Sequence, residues 1–536
     1  MNNENKPKDW LPGLKENWRS DIVSGFIVFL IALPLCLGIS LASGAPPMAG
    51  IFSGIVGGLI ASLLSGSHLT INGPAAGLIA VVLNSIMVLG GGDPKLGFEL
   101  TLAAIVIAGA IQVILGLVKA GNLTVYFPIS VVHGMMAAIG IIIISKQFYV
   151  ALGITPKAKT IGGLLLEIPS SFSFVNPEVA IIGISAILII AILAKIKNPL
   201  FKKLPAPLVA VLVGIVLGIV FDLADEHSYT LLDQTYKIGP EKLVNLPDHI
   251  YDGITFPDFS RWKDGIFWVM VITIALIASI ESLLTATAVD NTDPYRRKSN
   301  MDRELVAKGA GNFFLGWIGG LPIIAEVVRS SANMENGAKT RWSNFFHGLF
   351  LLFFILLLPG LIHRIPLASL AGILIMVGVR LASPHVFKET YEKGWDQIVI
   401  FTVTVVLTIV EDLLVGVFCG IVTAILIQVY FGVPLRYIFV ADITVKSENK
   451  VHELYVKHAL LFSNMISLKL LLRKVTPGER VDLKFDQNVK MIGFSAIEFL
   501  QSFKRDYELR GGQVNLIGFE DLKPISAYYG ATRIHK

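Results

Sequence analysis

The chain has 536 residues, of which 54% are hydrophobic and only 16% charged, with a mean hydropathy of +0.68. Soluble chains carry about 25% charged residues, so the composition excludes an ordinary soluble globular protein and a disordered chain. A net charge of +5 spread along the sequence gives no basis for nucleic acid as a partner. Two cysteines, Cys36 and Cys419, both in apolar runs, exclude a disulfide framework and a cysteine-based zinc site.

A helix needs about 20 apolar residues to cross the hydrocarbon core of a lipid bilayer. Runs of that kind occupy 22–42, 47–65, 98–118, 125–145, 178–195, 206–221, 266–289, 345–361, 366–381, 394–411 and 413–431. The first runs past signal-peptide length and is followed at once by a second apolar run, so it is not a cleavable leader. Three weaker stretches complete the series: 70–90 with a Gly-Pro break, the small-residue run 305–321, and the charged 322–336. Together they predict fourteen crossings. With the N-terminus cytoplasmic, fourteen crossings put nineteen Lys/Arg inside (among them Lys6, Lys119, Lys195–Lys203, Arg296–Lys308 and Arg380–Lys393) and nine outside. That bias predicts a multi-pass protein of the cell (plasma or inner) membrane with both termini cytoplasmic.

The acidic 222–265 loop splits the membrane part into two sets of seven, and an odd number of crossings forces the second set to be inverted. The chain is therefore read as a cytoplasmic N-terminus (1–20), a first repeat (21–221), an external loop (222–265), a second repeat (266–435) and a cytoplasmic domain (436–536). Each half carries a Gly-rich segment (54–66; 309–320) followed by an extended stub, a proline and a short helix, from Pro74 and from Pro322 onward. Broken third and tenth segments in matching positions point to a substrate site at their meeting point; merely kinked helices are the simpler reading, since membranes tolerate Gly and Pro. Residues 436–536 carry 16 of the 45 Lys/Arg and lack a spanning run. ELYVKHALLFS, RVDLKFDQ and QVNLIGF read as strands, and ISLKLLLRKV and SAIEFLQSFKRDYELRG as helices, giving a small α/β domain without a nucleotide-binding loop.

The segments SDIVSGFIVFLIALPLCLGISLASG (20–44), INGPAAG (71–77), ASIESLLTATAVDN (278–291), MDRELVAKGAGN (301–312), GGLPIIAEVVRSSANMENGAKTRWSN (319–344) and HRIPLASLAGILI (363–375) carry a resemblance to the sulfate permease (SulP) family of anion transporters. The tail is similar to a short STAS domain. The resemblance implies a seven-plus-seven inverted repeat, a homodimer, elevator-like alternating access, and sulfate, bicarbonate, chloride or other small inorganic anions as substrates. Many members place a carboxylate after the proline of the first segment; here Leu35 follows Pro34. Bicarbonate-type members have an apolar residue there and an acid in the eighth segment, which Glu281 matches. The tail loop reads Gly493-Phe494-Ser495-Ala496 in place of Asp-Ser-Ser-Gly, which argues against phosphorylation-type switching there.

An anion leaving water for a low-dielectric pocket needs N–H donors and positive potential, which helix N-termini supply. Broken helices beginning near Pro74 and Ile323 would line such a site with Asn72, Gly73, Ala75 and Ala76 on one side and Ala325, Glu326 and Val327 on the other. Arg329 adds a fixed positive charge, or forms an ion pair with Glu326 three residues earlier; the two roles are compatible. Glu281, in an apolar run, shares a helix face with Thr285 and has Ser282 and Thr287 within two turns. Oxygen ligands of this kind suit Na⁺ as a bound metal ion, and equally a protonatable relay; a neutral buried acid is the alternative. Glu281 and Glu326 against Arg329 leave the ionised empty site with one net negative charge. An anion is then held only if a cation joins it or a carboxylate takes a proton, which predicts symport with Na⁺ or H⁺ through Glu281, Thr285 and Glu326. Na⁺ or H⁺ as the coupling ion is the sole cofactor expected. An anion channel or uncoupled exchanger of the same fold is the competing function. No metal-ligand cluster or nucleophile–base pair suggests an enzyme, and the tail is a candidate sensor for a cytosolic partner.

Overall fold

The computed structural model describes residues 6–121, 127–158, 160–196, 205–231, 234–247, 249–448, 450–476 and 478–535. Lys159, Lys197, Lys202 and Lys203 of the charge count, and the start of the span at 125, lie outside the described residues. The chain forms two compact units, residues 1–121 with 139–380, and residues 122–138 with 381–536.

The first unit begins with α1 (Trp10–Ala42), whose N–H of Trp10 is capped by the Asp9 carboxylate at 3.1 Å. α2 (Pro47–Val56) runs on through one π-helical turn, Gly57–Ala61, to Leu64. Strand β1 (Ile71–Pro74) and a 3₁₀ turn (Ala76–Leu78) lead into α3 (Ile79–Gly90). Then come α4 (Pro94–Leu117), α5 (Ile129–Ala151, whose residues up to 138 count with the second unit), α6 (Ile161–Ser171), α7 (Pro177–Lys195) and α8 (Ala206–Val220). The hairpin β2 (His227–Leu231) and β3 (Gln234–Ile238) folds within the 222–265 loop. α9 (Gly265–Thr292), α10 (Met301–Ile318), β4 (Ile323–Glu326), α11 (Val327–Glu335), α12 (Trp342–Leu357) and α13 (Leu367–Leu381) complete the unit.

Among the described residues eight helices are long and apolar enough to cross a membrane, and five more apolar helices are shorter. The segments read at 70–90 and 322–336 are broken, with one correction to their order. Their first residues are strands, and helix starts only at Ala76 and at Val327, so Ile323–Glu326 is extended backbone and not a helix tip. The prolines and the strand pairing explain it. Proline disfavours helical backbone on the residue before it, here Gly73 and Leu321, and supplies no N–H to a helix, while Ile323–Glu326 is held extended by its pairing with β1.

β1 and β4 cross as an antiparallel pair, with Ile71 opposite Glu326, Asn72 opposite Ala325, Gly73 opposite Ile324 and Pro74 opposite Ile323. Two short strands leave outward amides that nothing in lipid can satisfy. Polar side chains of the surrounding helices take them. Ser330 Oγ accepts from the Ile71 N–H at 2.9 Å, Asn344 Oδ1 from Asn72 at 3.4 Å, and Asn312 Oδ1 from Ile323 at 2.6 Å. Asn312 in turn donates to Gln112 Oε1 on α4 at 2.7 Å, and Gln112 donates to Ser279 Oγ on α9 at 3.1 Å. Gly57, in the π turn, admits the strand. A Cβ there would stand 2.5 Å from the Asn72 carbonyl oxygen. A π turn inserted in a helix is a recurrent mark of functional sites.

The second unit holds α14 (Pro384–Lys393), α15 (Trp395–Val410) and α16 (Leu413–Tyr430), with Asp412 capping the N–H of Val415 at 2.8 Å. It continues into a mixed sheet ordered β10 (Gln513–Ile517), β8 (Arg480–Phe485), β6 (Val451–Val456), β5 (Ile443–Glu448). A second small sheet is ordered β11 (Lys523–Pro524), β12 (Arg533–Ile534), β9 (Met491–Ile492), β7 (Ala459–Leu460). α17 (Ile466–Leu472) and α18 (Phe494–Glu508) bury Leu468, Ile497 and Leu500 with sheet residues Leu454, Val481 and Leu483. The run ELYVKHALLFS, read as one strand, is two strands in different sheets, β6 and β7, because the chain turns at Lys457 and His458.

Asn312→Leu tests the support of β4. It strands the buried Ile323 N–H and Gln112 Oε1, at about 1–3 kcal/mol per orphaned group. The expected outcome is a Tm in detergent several degrees below wild type, larger than that of Phe313→Leu on the exposed face of the same helix.

Candidate functional site

Where β1 meets β4 the structure assembles residues more than 250 positions apart. Asn72 and Ala325 are fully buried register partners, as are Gly73 and Ile324. Of the residues read as lining a site, Asn72, Gly73, Ala75, Ala76 and Ala325 are buried, Glu326 is partly exposed, and Val327 is 42% exposed. Both polar atoms of the Asn72 side chain are buried without a hydrogen-bond partner. A buried amide left unpaired is costly, so a ligand or water that pairs with it is favoured.

Arg329 on α11 has no exposed surface. Its Nη2 donates to the Pro74 carbonyl at 3.0 Å, Nη1 lies 3.6 Å from Cys36 Sγ on α1, and Nε stands 3.8 Å from Glu326 Oε2. The guanidinium is thus a brace from α11 to the end of the opposite strand. Gly73 makes room for it, since a Cβ there would fall 2.5 Å from Nη1. Of the two readings of Arg329, the pairing with Glu326 is present in this geometry. Glu326 has a second task, because its Oε2 accepts the Arg329 N–H at 2.7 Å and so caps α11. The positive end of that short helix already faces a carboxylate, which sequence spacing alone did not reveal.

Glu281 lies on α9, a helix packed against β4. Its carboxylate presses on Gly77, where a Cβ would collide with both oxygens, and its Oε1 is buried without a hydrogen-bond partner. The neighbouring Ser282 Oγ is also buried and unpartnered, and Thr285 is buried. Thr287 is different. Its hydroxyl donates to the Leu283 carbonyl at 2.8 Å, and the residue is exposed, so it faces away from this oxygen group. Among the described residues no three His, Cys, Asp or Glu side chains cluster as metal ligands. An Na⁺ ion would have to draw on Glu281, hydroxyls, backbone carbonyls and water, the hard oxygen donors it prefers.

Several contributors were not singled out by sequence reasoning. Glu304 and Lys308 form a fully buried ion pair on α10, and Glu304 Oε2 accepts from Ser65 Oγ at 2.5 Å and from the Gly66 N–H at 3.0 Å. That pair fixes α10 to the turn that precedes β1. Cys36, Asn312 and Asn344 also touch the strands or their brace. The signal that could have found them is common to all: polar atoms in apolar helices, each needing a partner.

A protein-family model described as the Sulfate permease family matches residues 18–404. The putative sulfate transporter YvdB of Bacillus subtilis is 27% identical over 412 residues, 76% of this chain and 73% of its own length. The bicarbonate transporter BicA of Picosynechococcus is 28% identical over 412 residues, 76% of this chain and 69% of its own. Among solved structures, the transmembrane domain of a cyanobacterial BicA aligns with a TM-score of 0.61 at 26% identity, covering 76% of this chain and 97% of that one. SLC26A9 shares the fold, with a TM-score of 0.69 at 17% identity over 95% of this chain and 86% of its own. A match that spans more than half of the sequence and a common fold make this chain a member of the sulfate permease family of membrane proteins.

Proposed function

We propose that the chain is a secondary active transporter of a small inorganic anion of the bicarbonate or sulfate class, moved by symport with Na⁺ or H⁺. The observation that carries this reading is the crossing of β1 and β4, with a buried guanidinium braced behind it and a carboxylate oxygen left unpaired beside it. The relatives named for bicarbonate and sulfate transport support the substrate class. Asn72, Gly73, Ala75, Ala76, Ala325, Glu326, Val327 and Arg329 form the substrate site; Glu281 and Thr285, with Glu326, form the coupling site. Two carboxylates against one guanidinium make an anion acceptable only in the company of a positive charge.

The wider architecture follows the same reading. Fourteen crossings form two inverted sets of seven, each contributing one strand to the crossing, and an elevator-like movement of the site alternates its access. The protein is a homodimer in the cell membrane with both termini in the cytoplasm. The tail is a STAS-like domain: its mixed sheet, and the helix α18 that opens directly after Gly493, support that assignment. It offers a surface to a cytosolic partner.

The test is radiotracer uptake of sulfate, bicarbonate, chloride and dicarboxylates into proteoliposomes under imposed Na⁺ and H⁺ gradients. Uptake of one small anion that rises at least tenfold with one of the gradients is expected; indifference to both gradients overturns symport, and currents beyond carrier turnover favour a channel. Glu281→Gln is expected to abolish the cation dependence while the protein keeps its wild-type elution profile and Tm. Retained dependence moves the coupling site elsewhere.

A further inference from the structure

The first unit contains a cavity of about 810 Å³ at the end of the membrane part where α1 finishes, which is the external side in the topology above. One wall is the α1–α2 junction, Leu41 and Pro47; the other is the Pro240–Asn245 stretch with the turn Gly360–Leu367. The second wall is stitched together, because the Val244 N–H donates to the Ile365 carbonyl at 2.9 Å and Leu243 bridges to Pro366. The first wall belongs to the helix that carries Cys36, which touches the Arg329 brace.

Arg364 and His363 line this cavity. Arg364 is exposed and, among the described residues, makes no ion pair. The one acid of the lining, Glu241, has Lys242 at 3.5 Å as its partner, which leaves the Arg364 guanidinium as the unpaired charge of the cavity wall. Arg364 is one of the nine Lys/Arg that the topology above places outside, against a bias that keeps most of them inside. A guanidinium at the mouth of a low-dielectric cleft concentrates small anions there and raises their arrival rate.

We propose that this cavity is an external antechamber that binds small inorganic anions, with Arg364 as its recruiting residue. The inference rests on the transport reading for its purpose, but not for its chemistry. The site holds an anion whether or not the protein carries it onward.

Two measurements separate those statements. With full-length wild-type protein in nanodiscs, labelling of Arg364 by an arginine-directed dicarbonyl reagent is read by mass spectrometry while chloride, bicarbonate or sulfate is titrated. Protection of Arg364 by at least one of these anions, without equal protection of the exposed Arg505, is expected; no selective protection overturns the proposal. In intact cells, Arg364→Gln is expected to raise the apparent KM for the external anion about 3–10-fold at unchanged maximal rate, the size of a modest steering effect. The difference shrinks with added impermeant salt, is largely recovered in Arg364→Lys, and is absent for uptake into inside-out vesicles. An equal change from both sides marks a structural effect and overturns the recruiting role. Protection of Arg364 in a protein that moves no anion leaves the antechamber standing and removes the transport function.

Discussion

Everything at the centre of the first unit depends on a two-stranded ladder of four residues each, Ile71–Pro74 against Ile323–Glu326. Such a ladder is not stable alone in water, and in hydrocarbon its unpaired amides and carbonyls would be costlier still. It persists because helices surround it and return hydrogen bonds to it. Ser330, Asn344 and Asn312 each meet one outward amide, and the glycine of a π turn lets the strand approach α2 closely. Irregular backbone within a membrane is tolerated only where protein or a cavity replaces lipid around it. The ladder therefore dictates where buried polar residues must stand on three different helices.

That constraint explains which parts were legible in the sequence. The glycine and proline breaks at 70–77 and 319–323 exposed the two interrupted segments, because Pro74 and Pro322 are incompatible with continuous helix. The apolar runs exposed most spans by length alone. The pairing of the strands was not legible, since four-residue strands carry no periodicity and their register is set by contacts over 250 residues away in sequence. Helix α6 escaped notice for a related reason. IGGLLLEIPSS is short, holds Glu167 and Pro169, and looks like loop without the Glu167 carboxylate folding back on the amides of Lys157 and Ala158 at 3.0 and 2.8 Å. In the tail, strands of two residues such as β9 and β12 exist only through pairing with their neighbours in the sheet.

The second unit is held together by the same chemistry. Thr532, next to β12, donates to the Asp396 carboxylate at 2.6 Å, and Ser526 donates to the Glu392 carbonyl at 2.8 Å. Gln397 accepts from Ser130 at 2.6 Å. Residues 396 and 397 open α15, and Ser130 lies in the first turn of α5, so the last residues of the chain are tied to helix starts through short polar side chains. Ser495, in the first turn of α18 where the sequence departs from the family pattern, accepts the Ile129 N–H at 3.3 Å. Its hydroxyl is engaged in holding α5, a structural use for a position whose surroundings argued against a phosphorylation switch.

The buried acids of the first unit fall into two kinds, and the distinction gives Glu281 its meaning. Glu304 binds Lys308, a hydroxyl and an amide; Asp293 binds Arg297 at 2.8 Å; Asp21 accepts from Thr340 Oγ1 at 2.5 Å and from two amides. Each of these carboxylates is neutralised or solvated by the protein itself, as stability requires of a buried charge. Glu281, partly exposed as a residue, has instead one buried oxygen, Oε1, with no donor, its carboxylate lying against Gly77. Folding alone gives no reason to keep an acid there, because a leucine or methionine of similar volume would pack without a desolvation penalty. A proton or a bound cation would satisfy it, and the coupling role proposed for Glu281 rests on that unpaired oxygen.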